Sequence, residues 1–443
     1  MIKTYQQRLS AIIKIAIPVS LGQLGHVMAN VVDNIMLGKF SITAASSATF
    51  ALGVFFPIFL LNLGYSMGIT PLISNKLGEK DTSNLKDIAA NGFWANITIG
   101  VLSAILGFII ANFLDQMGQP KSIIPEAISY FKILSISIIP VMIFQSAKQF
   151  AEAFSDTKVA MIISLVGNAL NVVLNIPLIF GWDGVITPMG VTGAGIATLI
   201  SRVIMAVAMV IYVLSYADCR QNFSIQRKHL QKKVLKFITK MSLPIGFQYM
   251  LEVSTFAIAT IFVGWWSEEM LFAHQIAFNV ASITFIIATG FGAAASVRVG
   301  YFWGAKDLSM VKNSFHLLII IVITYMLVCI FFILTFRHII PTLYTDNQVV
   351  IDAVSSALVV ATLFQLSDGI QLICAGALRG INDVQVPTYI TFFSYWVVSL
   401  PTGYYLAFVR GIGLNGIWYG FVVGLSISAI LLWLRFRYKI THQ

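Results

Sequence analysis

Apolar runs of about twenty residues or more, each closed by a short polar stretch, recur twelve times along the chain. A helix needs about 20 mostly apolar residues to cross the hydrocarbon core of a bilayer. Lipid offers no partners to the backbone, so each run satisfies its own N–H and C=O groups best as a helix. The pattern predicts spans near 11–36, 45–73, 87–113, 127–149, 158–180, 190–215, 241–264, 271–298, 312–336, 350–377, 386–409 and 415–436. Composition narrows the class. The 443 residues are 58% hydrophobic and only 10% charged, whereas a soluble chain carries about 25% charged residues. So few charges do not coat a water-exposed surface, and the reading is an all-α integral membrane protein. The first run continues through His26, Asn30 and Asp33 without a clear small-residue cleavage site. It reads as a retained span and not as a signal peptide.

The net charge of +10 does not indicate a nucleic-acid partner, because the bases sit in alternate loops between apolar runs. One set of loops holds Lys3 and Arg8, then Lys76, Lys80 and Lys86, then Lys148 and Lys158. It continues through Arg220, Arg227, Lys228, Lys232, Lys233 and Lys236, then Lys306 and Lys312, Arg379, and finally Arg435, Arg437 and Lys439. The opposite set holds little beyond Lys39, Lys121, Arg337 and Arg410. The positive-inside rule then predicts a multi-pass cell-membrane protein with both termini and the long 216–240 loop in the cytoplasm, which requires an even number of spans. Cys219, Cys329 and Cys374 are too few and too scattered for a disulfide framework or a metal site.

A shift of about 226 residues matches the chain to itself without a gap from Lys14 to Asp81. Pro18 falls on Pro244, Gly38 on Gly264 and Gly64 on Gly290, while Gly78, Lys80 and Asp81 fall on Gly304, Lys306 and Asp307. Later in each half, Phe154-Ser155-Asp156 resembles Ile381-Asn382-Asp383. With about six spans per half, both halves start on the same side, so the repeat is parallel. The expected organisation is an N-terminal six-helix lobe (1–215), a basic cytoplasmic linker (216–240) and a C-terminal six-helix lobe (241–443).

Acids inside apolar runs cost roughly 2.5–3.5 kcal/mol each at a helix centre, so they read as functional. Three stand out. Asp33 ends a stripe with His26 and Asn30 at i, i+4 and i+7. Glu252 has Gln248 one turn before it and Thr255 one turn after, and Asp368 is flanked by Gln365 and Gln371. The alternative is a set of buried ion pairs that lock helices together. That alternative needs resident bases, and the runs offer Arg202 with His26 as a possible second. The surplus of negative charge points to visiting cations or held protons. Asn168, Asn171 and Asn175 form a second polar stripe, which either bridges helices or solvates Asp33. Phe285 and Phe364 are candidates for stacking on an organic cation, with a core role the competing reading for each.

These residues carry a family resemblance over nearly the whole length. Val32-Asp33-Asn34-Ile35-Met36-Leu37-Gly38 and Leu243-Pro244-Ile245-Gly246 leading to Glu252 carry it, with Val297-Arg298-Val299-Gly300 and Gly304. Asp368 followed by Gly376-Ala377-Leu378-Arg379-Gly380 and Asp383 completes it. The chain resembles the multidrug and toxic compound extrusion (MATE) family in its NorM-like branch. The resemblance implies two six-helix lobes in a V and antiport of cationic organic compounds or drugs against Na⁺ or H⁺ by alternating access, with no cofactor. It also implies that Glu252 and Asp368 form the coupling-cation site, where Na⁺ is the candidate metal ion, and that Asp33 supports transport. Asn171 and Asn175 join Asp33 in a second polar site; Gln248, Gln365, Gln371, Phe285 and Phe364 complete the cavity set. Phe285 stands where some relatives have a Tyr, and Phe364 likewise lacks a hydroxyl, which leaves the oxygen ligands for Na⁺ open. The expected partners are small organic cations, the coupling ion and the bilayer, with a monomeric chain. No phosphate-binding loop for an ATP-driven pump and no nucleophile–base or metal-ligand constellation for an enzyme is present in the sequence. A lipid-precursor flippase of the same broader superfamily and a cation channel remain as alternatives.

Overall fold

The computed structural model describes residues 5–182 and 185–442, the side chains of residues 217 and 218 excepted. Lys3, counted above among the loop bases, lies outside the described residues. Among the described residues, twelve long helical segments follow one another: α1 Tyr5–Phe40, α2 Ile42–Glu79, α3 Leu85–Ala111, α4 Ile124–Ala153, α5 Lys158–Phe180 and α6 Gly190–Ser215, then α7 Lys232–Gly264, α8 Glu268–Gly304, α9 Leu308–Phe336, α10 Gln348–Gly380, α11 over 385–409 and α12 Leu414–Thr441. Eleven of them are long and apolar enough to cross a membrane. The other, α11, is helical throughout but alternates between α and π pitch, with two π-helical stretches. Large apolar side chains stay exposed along α3 (Leu102, Ile105, Leu106, Ile109) and α9 (Leu327, Val328, Phe331, Phe332), as suits faces turned to lipid. Several helices outrun the apolar windows that marked them. α4 continues through Lys148 to Ala153 and α10 through Arg379 to Gly380, so these two bases are helical and buried instead of lying in loops.

Four helix ends close in the same way. Lys80, Ser155, Lys306 and Asn382 take left-handed backbone angles (φ 58°, 64°, 56° and 61°). In each case the next residue is an aspartate whose N–H reaches back five positions: Asp81 to Lys76 O, Asp156 to Ala151 O, Asp307 to Phe302 O and Asp383 to Leu378 O, all at 2.9–3.1 Å. This is the Schellman closure, which satisfies the last carbonyls of a helix. The aspartate side chains then fasten the turns. Asp383 Oδ2 accepts from Arg435 Nε at 2.7 Å, and Asp156 Oδ2 accepts from the Tyr212 hydroxyl, so each of these ties its turn to the sixth helix of its half. Asp81 accepts from the Ser83 hydroxyl and N–H, and these bonds with that from Lys76 hold its carboxyl below the usual carboxylate range. A left-handed non-glycine residue carries about 1 kcal/mol of strain. Lys306→Gly should therefore raise stability by about 0.5 kcal/mol, whereas Lys312→Gly inside α9 should lower it by about 1 kcal/mol. Opposite shifts in detergent melting temperature are the expected readout.

The helices sort into two compact units. One takes Met1–Ser20, Leu77–Lys80 and Phe247–Gln443; the other takes Leu21–Lys76 and Asp81–Gly246. Thus α1 divides after Ser20 and α7 after Gly246, positions 226 apart. Inside the first unit, Ser20 Oγ donates to Ile287 O at 2.6 Å, and a Cβ on Gly290 would lie 2.2 Å from Ala16 O. Inside the second unit, a Cβ on Gly246 would lie 2.6 Å from Leu61 O. Adding 226 to Ser20 and Leu61 gives Gly246 and Ile287, so one close helix crossing is built twice. The first unit's core gathers around stacked Phe315 and Phe436 and, separately, around Trp418, Phe421 and Tyr395.

α11 packs on α12 through a stripe of glycines. A Cβ at Gly416, Gly420 or Gly424 would fall 2.5 Å from Ala407 N, 2.5 Å from Gly403 Cα and 2.4 Å from Ser399 Cβ. Spacing of four residues puts these glycines on one face, and small residues let two backbones approach where lipid gives no hydrophobic drive. Two π-helical stretches, Phe393–Ser399 and Tyr405–Val409, interrupt α11. Pro401 lacks an N–H and its ring crowds the carbonyl of residue 397, a conflict that a wider turn relieves.

Candidate functional site

The second unit encloses a cavity of about 100 Å³ between α1, α2, α4, α5 and α6. That is room for several waters. His26, Asn30 and Asp33 all line it, as the i, i+4, i+7 stripe requires. Asn175 Nδ2 donates to Asp33 Oδ1 at 2.5 Å. Asn171, with its amide nitrogen toward the carboxylate, donates to the same oxygen at 2.9 Å and accepts from the Thr198 N–H at 3.2 Å. The asparagine stripe of α5 therefore solvates Asp33. Asn168 lines the same cavity. Arg202 does not form an ion pair with Asp33. Its Nη1 donates to Ser137 Oγ at 2.5 Å, its guanidinium lies 5.5 Å from the Phe59 ring centre, and its charge reaches Asp33 only from a distance. Phe55, Phe56, Phe59 and Phe144 supply the apolar wall.

The first unit holds the other two acids. Glu252 and Asp368, 8% and 4% exposed, come from α7 and α10 and lie close enough to repel each other. Glu252 Oε1 accepts from the Tyr395 hydroxyl at 3.1 Å and from Gln371 Nε2 at 3.5 Å, and Gln371 also donates to the Tyr395 oxygen at 2.8 Å. Trp396 Nε1 donates to Leu251 O at 3.1 Å, which pins α11 to α7 beside this cluster. Arg379 stacks over Tyr249 at 5.9 Å, and its charge reaches Glu252 without an ion pair. Among the described residues, no base lies within ion-pair distance of Asp33, Glu252 or Asp368. Lys148 and Glu152 form a buried ion pair at 3.5 Å, one turn apart on α4.

The other candidates scatter. Gln248 is buried one turn before Glu252. Gln365 is engaged with Thr284, its Nε2 donating at 2.9 Å, and so ties α10 to α8. Phe364 stacks on Trp418 at 5.8 Å, and Phe285 packs against the Phe315 core. Tyr395 was not singled out by sequence reasoning, because one tyrosine among fifteen in an apolar run carries no mark.

Two stretches of the chain, 18–176 and 244–405, match the MatE family model, and the second begins 226 residues after the first. The chain belongs to the MATE family. Membership makes it a multi-pass membrane transporter and not an enzyme. The chain is similar to the multidrug resistance protein NorM of Aliivibrio fischeri, at 31% identity over 97% of this chain and 94% of the relative. NorM of Photobacterium profundum shows 29% identity over 98% and 96%. The solved structure of a MOP superfamily transporter from Pyrococcus furiosus aligns with a TM-score of 0.88 at 21% identity, over 97% of this chain and 95% of that one. The all-helical fold expected from the apolar runs is thereby established as that of the MATE family, and the two matched stretches agree with the internal repeat read from the 226-residue shift.

Proposed function

We propose that this MATE protein exports cationic organic compounds in exchange for Na⁺ or H⁺ by alternating access, working as a monomer in the cell membrane with both termini cytoplasmic. The similar NorM proteins are named for multidrug resistance. The observation that carries the reading is the buried pair Glu252 and Asp368, with no base among the described residues in ion-pair reach and a hydroxyl and an amide aimed at one of its oxygens. Two carboxylates in a low-dielectric site favour a cation or a shared proton between them. Na⁺ would find carboxylate and phenol oxygens there, the hard donors it prefers. Asp33 with Asn171 and Asn175 forms the second polar site, where the organic cation's charge is met against aromatic walls. Efflux of a fluorescent cation from proteoliposomes under separately imposed Na⁺ and pH gradients tests the reading. Gradient-dependent, saturable counterflow is expected; flux indifferent to both gradients would refute it.

Tyr395→Phe keeps the ring and removes only the hydroxyl. The apparent affinity for the coupling ion should fall about tenfold, equal to about 1.4 kcal/mol, with little change in the amount of folded protein. Efflux rate measured against Na⁺ and H⁺ concentration reports it.

A further inference from the structure

The sequence places Arg379 among loop bases, yet it lies inside the first unit, 5% exposed, in the last turn of α10. Eleven residues make about three turns, so Arg379 shares a face of α10 with Asp368. Its guanidinium lies 5.9 Å from the ring centre of Tyr249, which stands one turn before Glu252 on α7, and its charge reaches Glu252. α8 approaches it through Gly292, where a Cβ would lie 3.9 Å from Arg379 Nη2, while Arg298 of α8 turns to Phe302 at 4.9 Å. A guanidinium carries five N–H donors in a planar fork. Among the described residues no hydrogen bond engages that fork, and no carboxylate lies within ion-pair distance of it. A ring face offsets only part of the cost of taking an arginine out of water. Ser155 and Asn382 take the same left-handed turn 227 positions apart, and that offset puts Arg379 on Glu152. Glu152 is met in its own helix by Lys148 at 3.5 Å, whereas Arg379 is left to act at longer range, on the acid pair.

We propose that Arg379 is a built-in counter-charge of the Glu252–Asp368 pair, so that the coupling ion is held loosely enough to be released in each transport cycle. The assignment rests on the reading of that pair as the coupling site and adds the residue that tunes it. Two ionised carboxylates and one guanidinium leave a single net negative charge, which one monovalent cation neutralises. Without Arg379 both carboxylates would be uncompensated in a site of low dielectric, where each opposes release of the cation. Tyr249 is the spacer. Its ring takes up the guanidinium and keeps it from closing a direct ion pair with Glu252, which would exclude the visiting ion. Tyr395 from α11 and Gln371 from α10 meet Glu252 as neutral donors, so they do not supply this charge.

The test follows efflux of a fluorescent cation from proteoliposomes of the full-length protein against the concentration of the driving ion, Na⁺ or H⁺. Arg379→Met and Arg379→Gln remove the charge. Both should lower the half-saturating ion concentration at least about tenfold and slow the maximal rate, because release becomes the slow step. Arg379→Lys keeps the charge and should bring half-saturation back towards the wild-type value. A merely structural Arg379 would lower the maximal rate in all three variants and leave half-saturation unchanged, which would overturn the proposal. An equal shift in Arg379→Lys and Arg379→Met would overturn it too, since shape and not charge would then be the cause. Met is apolar and of similar length, so Arg379→Met suits the buried site and decides alone where Arg379→Gln does not fold. Absence of ion-driven efflux in wild type would defeat the coupling reading and this proposal with it. Wild-type efflux with unchanged half-saturation in the variants would defeat only the counter-charge.

Discussion

Glu252→Gln and Asp368→Asn are each expected to reduce ion-driven efflux to the level of protein-free liposomes. Both changes keep the size and shape of the side chain, remove its ionisable charge and exchange one acceptor oxygen for an amide donor. The two carboxyls lie close enough to repel each other, in a site from which solvent is nearly excluded. There a carboxylate is worth several kcal/mol to a bound cation, so losing one should cost a hundredfold or more in coupling. Glu252→Gln also leaves the Tyr395 hydroxyl and Gln371 a neutral acceptor, so the cluster should stay folded. Normal detergent chromatography with abolished gradient-driven flux is the expected pair of results. Retained flux in either variant would remove that residue from the coupling site.

The second large effect is structural. Gly420→Leu should destabilise the protein by about 3 kcal/mol or more. A Cβ at Gly420 would lie 2.5 Å from Gly403 Cα, 2.6 Å from Gly403 N and 2.7 Å from Ser399 O. All three are backbone atoms, so no side chain can swing aside and α11 itself must move. Because α11 carries Tyr395 to Glu252, the displacement should weaken coupling in whatever fraction still folds. Gly53→Leu provides the contrast, since nothing lies within 4 Å of its Cβ position and the site is exposed. Thermal melting followed by size-exclusion chromatography should show a drop of several degrees for Gly420→Leu and almost none for Gly53→Leu.

The twelve spans could be read from sequence because the bilayer imposes a single strong rule, twenty apolar residues per crossing. The repeat was equally plain, since Gly78-Glu79-Lys80-Asp81 and Gly304-Ala305-Lys306-Asp307 stand 226 residues apart and serve the same closure. Span ends were read short where a charge broke the apolar window, as at Lys148 and Arg379, because a helix continues through a charge that finds a partner or a ring. The acids were visible because an acid in an apolar run is anomalous. Their neighbours were visible only where they shared a helix face, as Asn171 and Asn175 do. Gln365 shares the Asp368 helix yet turns to Thr284. Which side chains on α11 meet α7 depends on helix pitch, and hydropathy carries no information on pitch.

Tyr395 lies within the first π-helical stretch of α11. A π turn holds one residue more than an α turn of the same span, so it is what a single inserted codon leaves in an otherwise regular helix. The residues on either side of such an insertion keep different angular phases, and a phenol can swing into a neighbouring site with no substitution at any site position. The pitch of α11 before Tyr395 therefore decides whether its phenol meets Glu252 and Gln371, and a change of helix length there would alter that contact with Glu252, Gln371 and Tyr395 all in place.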